Sequence, residues 1–222
     1  MKISGDLLFI IIALAGVAVL QFQKGRRLNL TLMKIFVEGF EKKLKIRDQN
    51  YTWIGGSAGF KADYDLSDNY IKKVELTLTL LPRQSLFYLP ISFAFKRGDR
   101  LFIVLRPRFR LTSDAHIIKS FYYLFGPEIR EMGELTKGNI ELENNKGFYS
   151  LYEDEATLEK LRKFTQDVFS DVKRVRHIAL VKETNVLFCL IKPDPNKTPD
   201  EIKHLVEKLP QYFSDKAYKE LG

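Results

Sequence analysis

The chain has 222 residues, one cysteine and a formal net charge of +8 at pH 7. An apolar content of 45% with 29% charged residues excludes a disordered chain, and the lone Cys189 excludes a disulfide framework. The length suits one domain with a sizeable core behind an N-terminal segment.

The first element is Leu7–Phe22, which carries no charge between Asp6 and Lys24. Its apolar surface comes from Leu7, Leu8, Phe9, Ile10, Ile11, Ile12, Leu14, Val17, Val19, Leu20 and Phe22. As a helix it is about 24 Å long, short but usable against a bilayer core of roughly 30 Å. A cleaved signal peptide is the competing reading, with Ala13-Leu14-Ala15 as the small-x-small site. The apolar run continues past that site through Val17-Ala18-Val19-Leu20, which favours an uncut anchor over residues 1–23.

Residues 24–50 form a basic juxtamembrane segment. Lys24, Arg26 and Arg27 follow the apolar run directly, and Lys42 and Lys43 come later. From Lys24 to Arg47 there are eight basic residues against Glu38 and Glu41, a net +6. The positive-inside rule then places the amino terminus outside and the rest in the cytosol. Asn29-Leu30-Thr31, Asn50-Tyr51-Thr52 and Asn196-Lys197-Thr198 match the glycosylation pattern and would suit an exported domain instead. Anionic membrane lipids are the first partner such a segment suggests; RNA or an acidic protein is the sharper one. Leu28, Leu32, Ile35, Phe36, Phe40 and Leu44 predict an amphipathic helix over Leu28–Ile46.

Residues 51–222 predict one α+β domain with a mainly antiparallel sheet and flanking helices. Tyr51–Asp65, with Gly55, Gly56 and Gly59, reads as a strand with a bulge or a close backbone approach. Ile71–Leu81 alternates as a half-buried strand, hairpinned to it through Ser67-Asp68-Asn69. Pro82–Phe95 suits a helix start at Pro82 with a kink or end at Pro90, and Arg97-Gly98-Asp99 reads as a turn. Arg100–Leu111 is a strand with an apolar face and a second face ending in Arg106, Arg108 and Arg110. Guanidiniums spaced about 7 Å apart suit phosphates or carboxylates; the plainer reading is a charged edge strand. Ala115–Leu124 reads as a helix, Glu128–Gly138 as a polar connection, and Gly147–Tyr152 as a short strand. Then follow a helix over Glu155–Phe169, opened by Glu153-Asp154-Glu155, and a hairpin of Val175–Val181 and Val186–Ile191 with Cys189 in the core. A last helix, capped by Thr198, runs to about Tyr218.

No catalytic constellation stands out, and neither an enzyme nor a cofactor is expected. His116, His177 and His204 are far apart in sequence, and no Walker loop or nucleophile elbow is present.

The stretch Glu131-Met132-Gly133-Glu134-Leu135-Thr136-Lys137-Gly138 resembles the E-M-G-E-x-T-x-G segment of the calumin family, coiled-coil-domain-containing membrane proteins of the endoplasmic reticulum. Arg83-Gln84-Ser85-Leu86, Phe169-Ser170-Asp171 and Val186-Leu187-Phe188 are similar to it in the same order. The resemblance implies a chaperone subunit of the multipass translocon. It would bind the Sec translocon channel and a small Asterix-like membrane protein, and shield nascent multipass membrane proteins. The family's acidic lumenal region, credited with calcium binding, has no counterpart before Leu7, and its ribosome-approaching coiled coil has none after Gly222. Calcium is therefore not carried over, and direct contact with the ribosome is left open. A short relative of prokaryotic, archaeal type would sit in the plasma membrane; a eukaryotic one, in the endoplasmic reticulum. Glu131, Met132, Gly133, Glu134, Thr136 and Gly138 would be a partner contact, or a structural turn with a positive φ at Gly133 or Gly138.

Overall fold

A computed structural model describes residues 5–85, 88, 98–120, 122, 135–143 and 145–214. The anchor and the amphipathic helix are one helix, α1, Gly5–Lys43. It stops before Ile46, because Ile46–Ile54 is strand β1. The Tyr51–Asp65 segment is not one strand: Gly55 and Gly56, at φ +56° and +70°, turn β1 into β2, Gly59–Leu66. The close backbone approach is real. A side chain on Gly59, at φ +155°, would collide with the Leu78 carbonyl. Strand β3, Ile71–Thr79, pairs antiparallel with β2 through the expected turn.

Strand β4 is Arg100–Pro107 and β5 is Ala115–Lys119. The latter corrects the helix read there. Ala115, His116, Ile117 and Ile118 are all buried, so the segment shows no period-2 alternation and mimics a helical run. Thr136–Leu142 is β6, so the Glu128–Gly138 connection ends at Leu135 and Gly138 lies in an edge strand without positive φ. Strand β7 is Asn145–Tyr152, and helix α2 is Glu155–Val168. Asp154 caps α2 by accepting from the Thr157 N–H at 2.9 Å. After the 3-10 turn Val172–Arg174 come β8, Val175–Val181, and β9, Val186–Ile191. Helix α3 is Thr198–Phe213. Its N-cap is Lys197, not Thr198. The Thr198 hydroxyl is already engaged, accepting from Arg174 at 2.7 Å and from the Asp194 N–H at 2.8 Å. Pro82–Ser85, the expected start of a helix over Pro82–Phe95, forms a turn in which the Ser85 N–H donates to the Pro82 carbonyl at 2.9 Å. The rest of that segment apart from Tyr88, the Arg97 end of the turn after it, residues 131–134 of the family-like motif and the tail beyond Ser214 lie outside the described residues.

Among the described residues, nine strands form one antiparallel sheet in the order β1-β2-β3-β4-β9-β8-β5-β7-β6. Ala62, Leu76, Ile103, Cys189, Ile178 and Ile117 fall in register across six strands. Each is at most 1% exposed, and all join one core with Met33, Phe36 and Phe40 of α1, Phe164 of α2 and Leu205 of α3. The helices therefore cover one face of the sheet. Over β9, β8 and β5 the other face is buried as well: Leu190, Ala179 and Ile118 are each at most 1% exposed. Burial on both faces explains why these strands read as continuous apolar runs.

Candidate membrane anchor and docking surfaces

All eleven large apolar side chains expected in the anchor are exposed. They form one sleeve around the first half of α1, a helix long and apolar enough to cross a membrane. A soluble monomer rarely exposes more than a few hundred Å² of contiguous apolar surface, and a sleeve of this kind is a surface for a membrane or a protein partner.

The second half of α1 is seated differently from its apolar periodicity. Leu28 and Ile35 face solvent at 47% and 41% exposure. The buried stripe is Gly25, Asn29, Met33, Phe36 and Phe40. The helix is rotated by a polar latch at its root. The Asn29 side chain, fully buried, donates to the Ser57 and Leu81 carbonyls at 2.9 Å each. It accepts from Arg83 Nη1 at 3.0 Å, while Arg83 also grips Asp99 at 2.6 Å. Asp99 in turn accepts from the Leu81 N–H. Gln21 donates to the Arg83 carbonyl at 2.9 Å, and any side chain on Gly25 would overlap that same peptide. Sequence reasoning missed this latch. Its one visible signal is a polar Asn29 four residues from both Gly25 and Met33. The burial of Asn29, with its amide fully engaged, also removes the Asn29-Leu30-Thr31 triplet as a glycan acceptor, whereas Asn50 and Asn196 are exposed.

The expected basic residues do not form one surface. Lys24, Arg26 and Arg27 are exposed immediately past the apolar sleeve. Lys42 is exposed near the other end of α1, and Lys43 is engaged by Asp200 of α3. Arg108 lies farther still: its N–H donates to the Tyr70 carbonyl at 2.7 Å, in the same turn whose Ser67 N–H is held by the Lys45 carbonyl. From Gln21 to Lys43 the helix axis covers about 33 Å. Arg108 and Arg110 thus sit at the end of the domain remote from the sleeve.

The three arginines also differ in their neighbours. Arg106 makes a forked pair with Glu75 at 2.8 and 3.3 Å, inside a network with Lys73 and Asp63. That pairing holds the Glu75 carboxyl below the usual carboxylate range. The Arg108 guanidinium donates to the Asp68 carbonyl at 3.2 Å, and Arg110 is exposed; among the described residues neither side chain meets a carboxylate. The edge-strand reading fails, because β4 runs between β3 and β9.

His116 and His177, distant in sequence, are in contact: Nδ1 of the first lies 3.2 Å from Nε2 of the second. Antiparallel pairing of β5 with β8 brings them onto one face. Burial pushes both below the ordinary histidine range, His177 to about 3, so each ring is neutral with one N–H, and one ring donates to the other. No group of three or more His, Cys, Asp or Glu among the described residues is placed to hold a metal ion.

No family model matches this sequence, and no curated protein is significantly similar to it.

Proposed function

We propose that this chain is a single-pass membrane protein, N-out with its α+β domain in the cytosol, acting as a membrane-protein biogenesis factor. In this reading it binds the Sec translocon channel together with a small Asterix-like membrane protein, and assists insertion or folding of nascent multipass clients. The observation that carries the reading is the unbroken α1, whose exposed apolar half continues into a helix locked to the domain. Such a strut holds the domain at a fixed height and azimuth over the bilayer, as an adaptor beside a channel requires. The excess of Lys24, Arg26 and Arg27 on one flank supports the orientation. The calumin-like motif supports the class of partner. Arg108 and Arg110 are the docking residues of choice, since Arg106 is occupied by Glu75.

The test is recovery of partners from mildly solubilised native membranes at low salt, using the full chain and its R108E/R110E variant. Channel subunits and a small multispan protein are expected with the parent chain and lost with the variant. Equal recovery by both removes the arginines from the docking surface. An eluate holding neither channel nor multispan protein overturns the translocon reading. A lipid-facing scaffold is the second reading, favoured by the position of Lys24, Arg26 and Arg27 at headgroup level. It predicts salt-sensitive binding to anionic vesicles that R108E/R110E leaves unchanged.

A further inference from the structure

A second set of cations gathers at the root of α1, away from the residues discussed so far. Arg100 opens β4, Arg176 lies at the start of β8 and Lys119 ends β5. Register puts these three at one end of neighbouring strands: Leu101 pairs with Ile191, Ile191 with Val175, and His177 with Ile118. A bulge between Val175 and His177 leaves Arg176 out of the ladder. Its guanidinium turns toward Gly98, where a side chain would begin 3.5 Å from Nη2.

Arg176 is half-buried and lies within the field of Arg100. Burial and the Arg100 charge hold it below the ordinary arginine range. Lys119, whose Nζ donates to the Lys173 carbonyl at 2.9 Å, is pushed down by burial and then by Arg176, against the pull of Asp171. Among the described residues no carboxylate pairs with Arg100 or Arg176. Two guanidiniums in each other's field at one end of the sheet, with no carboxylate partner among the described residues, repel one another. An oxyanion accepting from both forks removes that penalty, and tetrahedral phosphate fits two forks at once.

Position selects the source of the phosphate. Asp99, adjacent to Arg100, is gripped by Arg83, and the Arg83 carbonyl is held by Gln21. Gln21 is the penultimate residue of the apolar stretch that ends at Phe22. The pair therefore lies at headgroup height if α1 spans the bilayer. We propose that Arg100 and Arg176 form a binding site for the phosphate group of an anionic membrane lipid, with Lys119 adding charge beside it. The site rests on α1 being a membrane span and is independent of any translocon role.

The test is thermal unfolding of the full chain in neutral detergent, titrated with short-chain phosphatidylglycerol, phosphatidylcholine of the same chain length, or inorganic phosphate. Phosphatidylglycerol should raise the transition of the parent protein and phosphatidylcholine should not. In R176Q, and again in R100Q/R176Q, the concentration for half of that effect should rise roughly ten-fold or more, the weight of a charge-assisted hydrogen bond. Each variant is read against its own unliganded transition, so a change in intrinsic stability does not confuse the result. K34Q, which changes a largely exposed charge outside the site, should keep the parent response. An R176Q titration that matches the parent overturns the site. Equal potency of inorganic phosphate keeps an anion site and overturns the lipid as its source. Carbonate extraction separates this failure from that of the membrane reading: a chain released from membranes lacks the span, whatever its titration shows.

Discussion

Asn29 tests the latch most directly. Changing it to Ala removes two donors and one acceptor from a fully buried position. Arg83 keeps Asp99, so its loss is small. The Ser57 and Leu81 carbonyls each lose the Asn29 donor. A net hydrogen bond is worth about 1 kcal/mol and a buried orphan costs about 1–3 kcal/mol, giving roughly 3 kcal/mol in all. For a domain of this size that is a fall of about 6–12 °C in the thermal transition. The assay is thermal unfolding of the full chain in detergent. Lys34→Ala, which breaks a largely exposed pair with Glu38, is the control and should change stability by less than about 0.5 kcal/mol. Asn29→Leu sharpens the experiment. If Asn29 were merely a polar residue tolerated in an apolar stripe, Leu would stabilise; with the latch, Leu destabilises at least as much as Ala. A transition for N29A within about 2 °C of the parent, or a higher one for N29L, would refute the reasoning.

Two further outcomes follow from buried polar groups elsewhere. Arg174 and Glu201 pair at 2.7 Å with side chains 9% and 4% exposed, and burial pushes the Glu201 carboxyl up despite the arginine beside it. Arg174→Ala should cost about 3–5 kcal/mol by leaving that carboxylate unpaired, while R174M/E201L should recover most of the loss, as read by denaturant midpoints. The His116–His177 pair sets an acid limit. Both rings are neutral when folded and take up protons on unfolding, so their contribution is complete above the ordinary value of 6.5 and is lost as the pH falls toward about 3 for His177. Stability should drop by about 1.4 kcal/mol per pH unit from His177 alone over that window, and His177→Phe should flatten the slope; an unchanged slope would place the acid sensitivity elsewhere.

The alternating strands were legible because each has one wet face. In β3, Val74, Leu76 and Leu78 alternate with Glu75 and Thr77, and the structure seats them as read. In β4 the apolar face was legible but the neighbours were not, since pairing with β9 joins residues more than eighty apart. The helix misread at Ala115–Lys119 and the split of Tyr51–Asp65 have local causes: two-sided burial in the first, and glycines that turn rather than bulge in the second. The latch was invisible for a different reason. Arg83 bridges Asn29 and Asp99 only once β3 and β4 are paired, and nothing in the spacing of those residues announces it. The same holds for Arg100 with Arg176 and for His116 with His177. Like charges or like rings met across a sheet leave no local pattern.

The latch also decides how the basic residues can divide their work. A flexible tether between anchor and domain would let every cation sample the membrane surface, and the basic residues would act as one lipid-binding set. Here α1 is continuous from the sleeve through Lys43 and is fixed to the domain at Gln21, Gly25 and Asn29. The distance along that strut is about 33 Å. Tilting a membrane helix by about 20°, a typical value, shortens its projection by only a few Å. The Debye length at physiological salt is about 8 Å. With the apolar half of α1 in a bilayer, as proposed, Lys24, Arg26 and Arg27 would lie within the field of the headgroups, whereas Arg108 and Arg110 would lie several screening lengths beyond it. Under that proposal lipid charge does not reach the distal pair, and a partner for it would have to project from the membrane by a comparable distance.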